Sequence, residues 1–505
     1  MAAKFSFASR RLSDYETVLD LLRTRGDGVI CHVMIMRTKT EITASKLSHA
    51  LQSLMHHQPA LRMRIKTERG MHGLSKRFVE SDDVDIDVTE ADGGVELWEF
   101  AIQETCCQQF VDPGGKLWKL LYMDLTSKYP DVNGHTYAII FKISNVIADH
   151  VSLYLLMTRQ LRMILIGSQL STTCTVCKVP LHFKPSVDQC FLPTSSTPVA
   201  PPLIKLKKKG SNGSCLNIKK RQTKKKSSSD LCEECPFFDL QDLEIVPRTR
   251  LCRYVLELND AKRLIRLCRR HDVRIEQAFV VASAHAYYLT LRAQRLPLSE
   301  SHVRVCHWLD LRRYHSAPTD CDPLGMWLCP VYTKHKPNNK GPNYSTFWQQ
   351  VRKLSNSLAP VKEPWKQGFQ EFRKSLDEVN KHWSENDEQV SPSIPRCHVT
   401  VSYLEVALDT EDQMMEMARS RHGHVPVDFD PMIVDEYHVT TCVTSHSIGL
   451  LNVSVVQDKN NIACVVSRDD NVVPFVVAEK FLAILSKIIS HMVSVTMTHR
   501  FGVIV

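Results

Sequence analysis

The sequence lacks an apolar run long enough to cross a membrane. A membrane-spanning helix needs about 20 predominantly apolar residues. The most apolar region here, residues 137–166, is interrupted by four charged side chains: Lys142, Asp149, Arg159 and Arg162. The first residues, MAAKFSFASRRLSDYE, also lack the apolar core of a secretory signal peptide. We therefore expect a protein without a membrane span that works in the cytoplasm.

A regular, even-numbered set of cysteines is also missing. The 17 cysteines are scattered, which favours reduced thiols in the cytosol over a disulfide framework. Two pairs have metal-type spacing, Cys174-x-x-Cys177 and Cys232-x-x-Cys235, and four thiolates can hold one zinc ion tetrahedrally. The 54 residues between the pairs exceed the spacing of a usual zinc ribbon. We therefore expect no bound metal and interpret these cysteines as thiols in a mobile loop, with a zinc site as the alternative.

Acidic residues are absent from the segment Lys205 to Lys226, which holds ten basic residues. The formal net charge of the chain is +9, so without this segment it would be −1. The rest of the chain is near neutral, which argues against a nucleic-acid-binding surface there. Within the segment, KKRQTKKK has the composition of a nuclear import signal or a nonspecific anionic contact. A solvated basic linker is the alternative.

The chain divides into three predicted parts. Residues 1–167 and 251–505 alternate strand and helix patterns, which indicates a mixed α/β layer structure in each. Residues 168–250 include STPVAPP, KLKKKGSNGS and KKRQTKKKSSSD, and we interpret them as an inserted, mostly disordered linker. An Arg-Gly-Asp string at residues 25–27 lies in a turn before the first strand. Without a signal peptide, we interpret that string as part of the turn rather than as an adhesion motif.

Four stretches carry a resemblance to a known superfamily through their order along the chain. They are LSHALQSLMHHQPALRMRI (Leu47–Ile65), FVDPGGKLWKLLYMDL (Phe110–Leu125), FKISNVIADHVS (Phe141–Ser152) and WLDLRRYHSAPTDCDPLGMW (Trp308–Trp327). Together they resemble the chloramphenicol-acetyltransferase-like superfamily. Its members include alcohol acetyltransferases, BAHD acyltransferases, peptide-synthetase condensation domains and polyketide-associated acyltransferases.

The resemblance implies an α/β fold of two similar chloramphenicol-acetyltransferase-like domains with a tunnel between them. An acyl thioester, usually on coenzyme A, would enter from one side as co-substrate. A small-molecule acceptor with a hydroxyl or amine would enter from the other side. We also expect a monomer without a bound cofactor. The segment 168–250 falls where the superfamily has its crossover between domains.

The third stretch overlays the superfamily signature His-His-x-x-x-Asp-Gly, whose second histidine is the general base. Aligned on Asp149, this base position holds Asn145, and the final glycine corresponds to His150. A carboxamide has no basic lone pair, whereas a neutral imidazole accepts a proton near pH 7. Because general-base catalysis typically contributes about 10²–10⁴-fold in rate, we expect weak or lost activity. His150 is the substitute base that the sequence offers, and a packed or solvated histidine is the alternative.

Asp149 corresponds to the structural aspartate of the superfamily, whose arginine partner would be Arg312 in LDLRRY. Breaking a buried ion pair of this kind costs about 3–5 kcal/mol, so keeping both residues indicates a retained active-site loop. An exposed aspartate at a helix N-terminus is the alternative. Tyr403 and Glu405 stand where the superfamily often has the asparagine and glycine of a turn. A glycine lets the backbone approach a ligand closely, so we expect altered thioester geometry there.

The sequence thus predicts a protein of the acyltransferase type with weak or lost activity. Its reaction would transfer an acyl group from acyl-CoA or another thioester to a hydroxyl or amine. The alternative is a non-catalytic binding or interaction protein that uses the tunnel or the basic segment.

Overall fold

The structure is a computed structural model of the chain. It describes residues 9–24, 26–70, 73–81, 88–90, 116–128, 134–169, 186, 188, 190, 249–296, 302–312, 324–338, 341–358, 366, 369–370, 373–374, 397–422, 429–444, 447–459 and 461–498.

Strands and helices alternate through both halves of the chain. The strands are β1 (Ser9–Arg11), β2 (Val29–Thr38), β3 (Met63–Gly70), β4 (Gly73–Glu80), β5 (Val88–Glu90), β6 (Trp118–Asp124), β7 (His135–Ser144), β8 (Thr249–Val255), β9 (Val303–Asp310), β10 (Leu328–His335), β11 (Cys397–Val406), β12 (Ile433–Thr441), β13 (Gly449–Asp458) and β14 (Asn461–Asp469). The helices are α1 (Asp14–Arg23), α2 (Ala44–His57), α3 (His150–Leu155), α4 (Arg162–Gln169), α5 (Leu258–His271), α6 (Ile275–Ala293), α7 (Tyr344–Leu358), α8 (Glu411–His422) and α9 (Phe475–Thr498). A π-helical segment, Leu156–Leu161, joins α3 to α4.

The first sheet has the strand order β12-β2-β7-β6-β5. Its strands are antiparallel except for the parallel pair β5 and β6. Strands β2 and β7 are buried along nearly their whole length, because both faces of the sheet are covered. This explains why GVICHVMIM and TYAIIFKIS are continuous apolar runs rather than alternating patterns.

The second sheet has the strand order β10-β9-β11-β13-β14-β8. Strands β9, β11 and β13 are parallel to one another, and the other pairs are antiparallel. Helices α5, α6, α7 and α9 share one core with this sheet. Helix α6 is buried on most sides, as its apolar sequence predicts. A small third sheet has the order β1-β4-β3.

One strand crosses between the halves of the chain. Strand β12 belongs to the second half in sequence but pairs with β2, so that Thr441 lies opposite Ile30. A single hydrophobic core likewise includes Leu19 and Phe141 from the first half and Leu309 and Tyr437 from the second. The first sheet is therefore completed by a distant part of the chain, and the two halves meet at the ends of β2, β7 and β12.

The predicted division at residues 1–167, 168–250 and 251–505 stays a prediction. Almost all of the segment 168–250 lies outside the described residues, including the basic run and the four cysteines of the zinc alternative. Across the parts that the structure describes, no helix is long and apolar enough to cross a membrane. The described residues also contain no cluster of three or more His, Cys, Asp or Glu side chains that could hold a metal ion.

Candidate active site

A pocket opens where the two sheets meet. It has about 570 Å³ of free space, counting the part that is open to solvent. The first half contributes the end of α1, the turn at Asp27 and the loop from Asn145 to His150. The second half contributes side chains of β9, β11, β13 and the end of β12, among them Trp308 and Asn452. The pocket is therefore built by the junction of the halves, where the resemblance places the acyl-transfer site.

The sheet register places Asn145 at this junction. Strand β7 ends at Ser144, which lies opposite Val29 at the start of β2. The Asn145 backbone N–H donates to the Gly28 carbonyl at 2.7 Å. The Asn145 side chain is only 8% exposed, and its Oδ1 accepts no hydrogen bond from the described residues. Asn145 thus lines the pocket and has a buried amide oxygen with unused hydrogen-bonding capacity.

Asp149 anchors the loop that follows. It caps α3 by accepting the Ser152 N–H at 2.8 Å, and it accepts the Trp327 N–H at 2.6 Å. The Arg312 guanidinium contacts both carboxylate oxygens, at 2.8 and 3.0 Å. The Ser152 hydroxyl accepts from Arg312 at 2.6 Å and donates to the Gly325 carbonyl at 2.7 Å. Asp149 is fully buried and Arg312 nearly so, and their network joins the two halves beside the pocket.

His150 lines the pocket but belongs to a buried chain of hydrogen bonds. Its Nδ1 lies 2.9 Å from His32 Nε2, and its Nε2 lies 3.2 Å from the Thr441 hydroxyl. His32 Nδ1 lies 2.7 Å from the Tyr437 hydroxyl. Burial lowers the pKa of His150 to about 4 and also lowers the pKa of His32. Both imidazoles are therefore neutral at pH 7, and both nitrogens of His150 are already hydrogen-bonded, so His150 is a weak base there.

Asp27 is a second carboxylate in the pocket, in the turn between α1 and β2. Its N–H donates to the Leu22 carbonyl at 3.1 Å. The glycines on either side have φ angles of 81° at Gly26 and 66° at Gly28, which residues with a side chain rarely adopt. Asp27 is 6% exposed, and burial raises the pKa of its carboxyl to about 6, against the hydrogen bonds from Gly28 and Ser447. The Arg-Gly-Asp string thus places its aspartate inside the pocket.

Comparison with known proteins identifies the fold. No family model matches the chain, and no curated protein sequence matches it. Trichothecene 15-O-acetyltransferase from Fusarium sporotrichioides is 10% identical with a TM-score of 0.62, over 97% of this chain and 96% of that protein. Polyketide synthase associated protein 5 from Mycobacterium tuberculosis is 14% identical with a TM-score of 0.54, over 96% and 98%. The starter condensation domain of rhizomide synthetase, solved as a mutant with C8-CoA and Leu-SNAC, is 14% identical with a TM-score of 0.57, over 96% and 94%.

The chain has the chloramphenicol-acetyltransferase-like fold. At 10–14% identity this likeness defines the fold, and nearly complete coverage shows that it extends over both halves. The fold class expected from the four stretches is therefore confirmed.

The chain departs from the chloramphenicol-acetyltransferase-like pattern on β11. Where the superfamily often has a Ser-Asn-x-Gly turn, β11 continues to Val406 and stays paired with β13. Tyr403 is half-buried, and its hydroxyl donates to Gln457 Oε1 at 2.7 Å. Glu405 is exposed. This strand has no break through which its backbone could turn toward a ligand.

Several pocket residues carried no sequence signal for a site. Asp27 and Thr441 line the pocket, and His32 and Tyr437 belong to the hydrogen-bond chain of His150. All four are distant in sequence from Asn145, within ordinary strands and turns. Only strand pairing brings them to one place. The sequence did predict Asn145, Asp149, His150 and Arg312 as site residues, and the structure places all four at or beside the pocket.

Proposed function

We propose that the protein binds an acyl thioester in this pocket and transfers the acyl group to a hydroxyl or amine of a small molecule. The observation that carries the proposal is the buried pair of Asp149 and Arg312, which fixes the Asn145–His150 loop at the junction of the halves. The shared fold with acetyltransferases and condensation domains supports the same conclusion.

With Asn145 at the base position, this transfer is slow by the usual mechanism, in which a histidine takes the proton of the acceptor. An amide cannot take a proton near pH 7, and the missing base corresponds typically to about 10²–10⁴-fold in rate. The amide can still act through hydrogen bonds. The positions assigned to the amide oxygen and nitrogen can be exchanged by a flip of the side chain. The amide N–H can therefore face the pocket and donate to a thioester carbonyl. Positioning and stabilisation of the developing oxyanion therefore remain available.

A coenzyme A thioester is the donor that we propose. The described lining of the pocket includes Leu19, Leu22, Met326 and Leu328, which offer an acyl chain an apolar surface. The rhizomide domain was solved with C8-CoA, which makes octanoyl-CoA a reasonable first probe.

The test is release of coenzyme A from octanoyl-CoA, followed with a thiol reagent in the presence of a panel of alcohols and amines. We expect slow release by the natural chain and faster release by Asn145→His, because an imidazole supplies at this position the base that the amide lacks. Asn145→Gln is the matched control, since it keeps an amide at this position. Asn145→His and Asn145→Gln chains that are equally inactive with every acceptor would contradict the proposal.

Binding without turnover is the second candidate function. It is favoured by the Asn145 amide, which is buried and has an oxygen without a partner among the described residues. A ligand that binds only the folded state raises the melting temperature. Octanoyl-CoA that raises the melting temperature of the natural chain, with no coenzyme A released by it or by Asn145→His, would select this candidate.

The place of action and the partners also remain proposals. We propose a cytoplasmic monomer without a nucleic-acid partner, on the cysteine content and on the near-neutral charge outside Lys205–Lys226. Import into the nucleus through that segment is the alternative. Deletion of residues 200–230 distinguishes the two, because loss of a nuclear fraction would point to import.

A further inference from the structure

The pocket contains a carboxylate, Asp27, close in the fold to the position of the missing histidine. Val29 at the start of β2 is paired with Ser144 at the end of β7. Asp27 lies two residues before Val29, and Asn145 directly follows Ser144. The Asn145 backbone is hydrogen-bonded to Gly28, the neighbour of Asp27. Asp27 and Asn145 therefore line the same end of one pocket.

Two hydrogen bonds hold the carboxylate of Asp27 in position, and no cation accompanies it among the described residues of the lining. Ser447 Oγ accepts the Thr444 N–H at 2.7 Å, which leaves its hydroxyl proton to donate to Asp27, and the Gly28 N–H is the other donor. The titratable residues that share the pocket lining with Asp27 are Asp149, His150 and Cys442, and the described lining includes no lysine or arginine.

The surroundings also give Asp27 a suitable basicity. Burial raises the pKa of its carboxyl to about 6. A general base works best when its pKa lies near the working pH, because it must be both deprotonated and able to hold a proton. At pH 7 Asp27 is mostly ionised, yet it is a stronger base than an ordinary aspartate. His150, with a pKa of about 4, is a weaker base in the same pocket.

We propose that Asp27 is the general base of this pocket, acting in place of the histidine that Asn145 replaces. The proposal rests on the acyl transfer proposed above. The acceptor's proton passes to an Asp27 oxygen while the acceptor's oxygen or nitrogen bonds to the thioester carbonyl carbon. The carbon–sulfur bond then breaks, and the leaving thiolate takes the proton from Asp27 and departs as coenzyme A thiol. Asn145 contributes a hydrogen bond to the carbonyl oxygen.

The decisive experiment measures coenzyme A release from octanoyl-CoA between pH 5 and 8 for four variants and the natural chain. The variants are Asp27→Asn, Asn145→His, the double variant Asp27→Asn/Asn145→His, and Asp412→Asn as the matched control. Asp412 is exposed in the first turn of α8 and undergoes the same chemical change. Circular dichroism and the melting-temperature shift with octanoyl-CoA report folding and binding separately from turnover.

We expect the rate of the natural chain to rise with pH, with a midpoint near 6, and to level off above it. Asp27→Asn should lose about 10²-fold or more in rate and lose this pH dependence, while Asp412→Asn changes neither. The double variant should regain turnover through the new histidine. If His150 were the base, the rate would already be flat across this pH range.

Three results overturn the proposal, and the first two leave the proposed transfer intact. One is an Asp27→Asn chain with the rate and pH dependence of the natural chain. Another is an inactive double variant beside an active Asn145→His, which would make Asp27 a structural residue. The third is activity in Asn145→His with none in the natural chain, which would mean that no native group is a competent base. Absence of release from both the natural chain and Asn145→His would remove the transfer itself, and the Asp27 proposal with it.

A second measurement tests the titration without any turnover. Infrared difference spectra of the natural chain should contain a carboxyl band that titrates near pH 6 and is absent from Asp27→Asn. If the spectra of the natural chain and Asp27→Asn differ by no such band between pH 5 and 8, the proposal is contradicted.

Discussion

Asp149 and Asp27 both line one pocket, and they differ in their charged partners. Asp149 is paired with Arg312 and accepts two backbone N–H groups. Asp27 accepts hydrogen bonds from Ser447 and Gly28, and no lysine or arginine belongs to the described lining. Each carboxylate is at least 94% buried, so burial alone does not distinguish them.

The difference suggests two roles for one chemical group. A buried carboxylate whose charge is matched by an arginine is held firmly in one geometry. A buried carboxylate with hydrogen bonds but no cation is less favourable for the fold and more basic. Pairs of carboxylates whose environments differ in this way divide structural or electrostatic work from proton transfer in enzymes. We therefore infer that Asp149 maintains the loop and that Asp27 exchanges protons.

The largest effect on stability is expected from removing the arginine partner of Asp149. Arg312→Met keeps much of the side-chain volume but leaves Asp149 buried without its cation. We expect a loss of about 3–5 kcal/mol in the free energy of unfolding, measured by urea denaturation at pH 7. Arg312→Met/Asp149→Asn should recover part of this loss, since no unpaired charge remains. A loss below about 1 kcal/mol, the range of an exposed pair, would contradict the structural role.

Replacement of Asp27, in contrast, is expected to increase the free energy of unfolding at neutral pH. The pKa of Asp27 is about 6 in the folded chain, above the ordinary 3.8, so its contribution to stability is complete below pH 4 and is lost as pH rises through 6. Asp27→Asn removes this pH-dependent loss. At pH 7.5 the variant should therefore be more stable than the natural chain, by at most about 3 kcal/mol.

Unfolding curves at pH 4 and pH 7.5 check that prediction. The advantage of Asp27→Asn should be present at pH 7.5 and absent at pH 4, whereas Asp412→Asn should give no such difference. A variant that is less stable than the natural chain at pH 7.5 would show that the carboxylate stabilises the fold. A residue that lowers stability while serving a reaction is common in active sites.

Much of the fold could be predicted from the sequence because its signals are local or ordered along the chain. The apolar runs of β2 and β7 are typical of strands, and the order of four stretches predicted the architecture that the comparisons confirm. The placement of β12 in the first sheet could not be predicted. Its β-branched and aromatic residues are typical of a strand but do not specify a partner. Pairing with β2 joins residues about four hundred positions apart.

The candidate site was predictable only where a motif covers it. Asn145 and Asp149 share one stretch of sequence, and Arg312 lies in another, so a resemblance could connect them. Asp27 lies in a turn with no such pattern, and its basicity depends on its burial in the folded chain. A sequence does not report burial of this kind, because it arises only when the two halves pack together.

A smaller effect is expected from removing one hydrogen bond to Asp27. Ser447 stabilises the ionised form of Asp27, so Ser447→Ala should raise the pKa of Asp27 further. The midpoint of the pH–rate curve should then move upward by about one pH unit. Ser447→Thr keeps the hydroxyl and should leave the midpoint near 6. An unchanged midpoint in Ser447→Ala would separate the observed pH dependence from Asp27.

The smallest effect is expected from His150, the histidine nearest to the lost base in sequence. His150→Gln keeps a neutral hydrogen-bonding group between His32 and Thr441, so at pH 7 it should cost about 1 kcal/mol in stability. The pKa of His150 is about 4 in the folded chain, below its ordinary 6.5, so its contribution is present above pH 6.5 and is lost as pH falls through 4. This loss is worth about 3 kcal/mol, so the stability difference between the two chains should shrink and then change sign on acidification. The rate should stay within about tenfold of the natural chain, with the midpoint near 6 unchanged, because His150 positions its neighbours while Asp27 takes the proton. A flat pH–rate curve in His150→Gln, with Asp27 intact, would reverse these two roles.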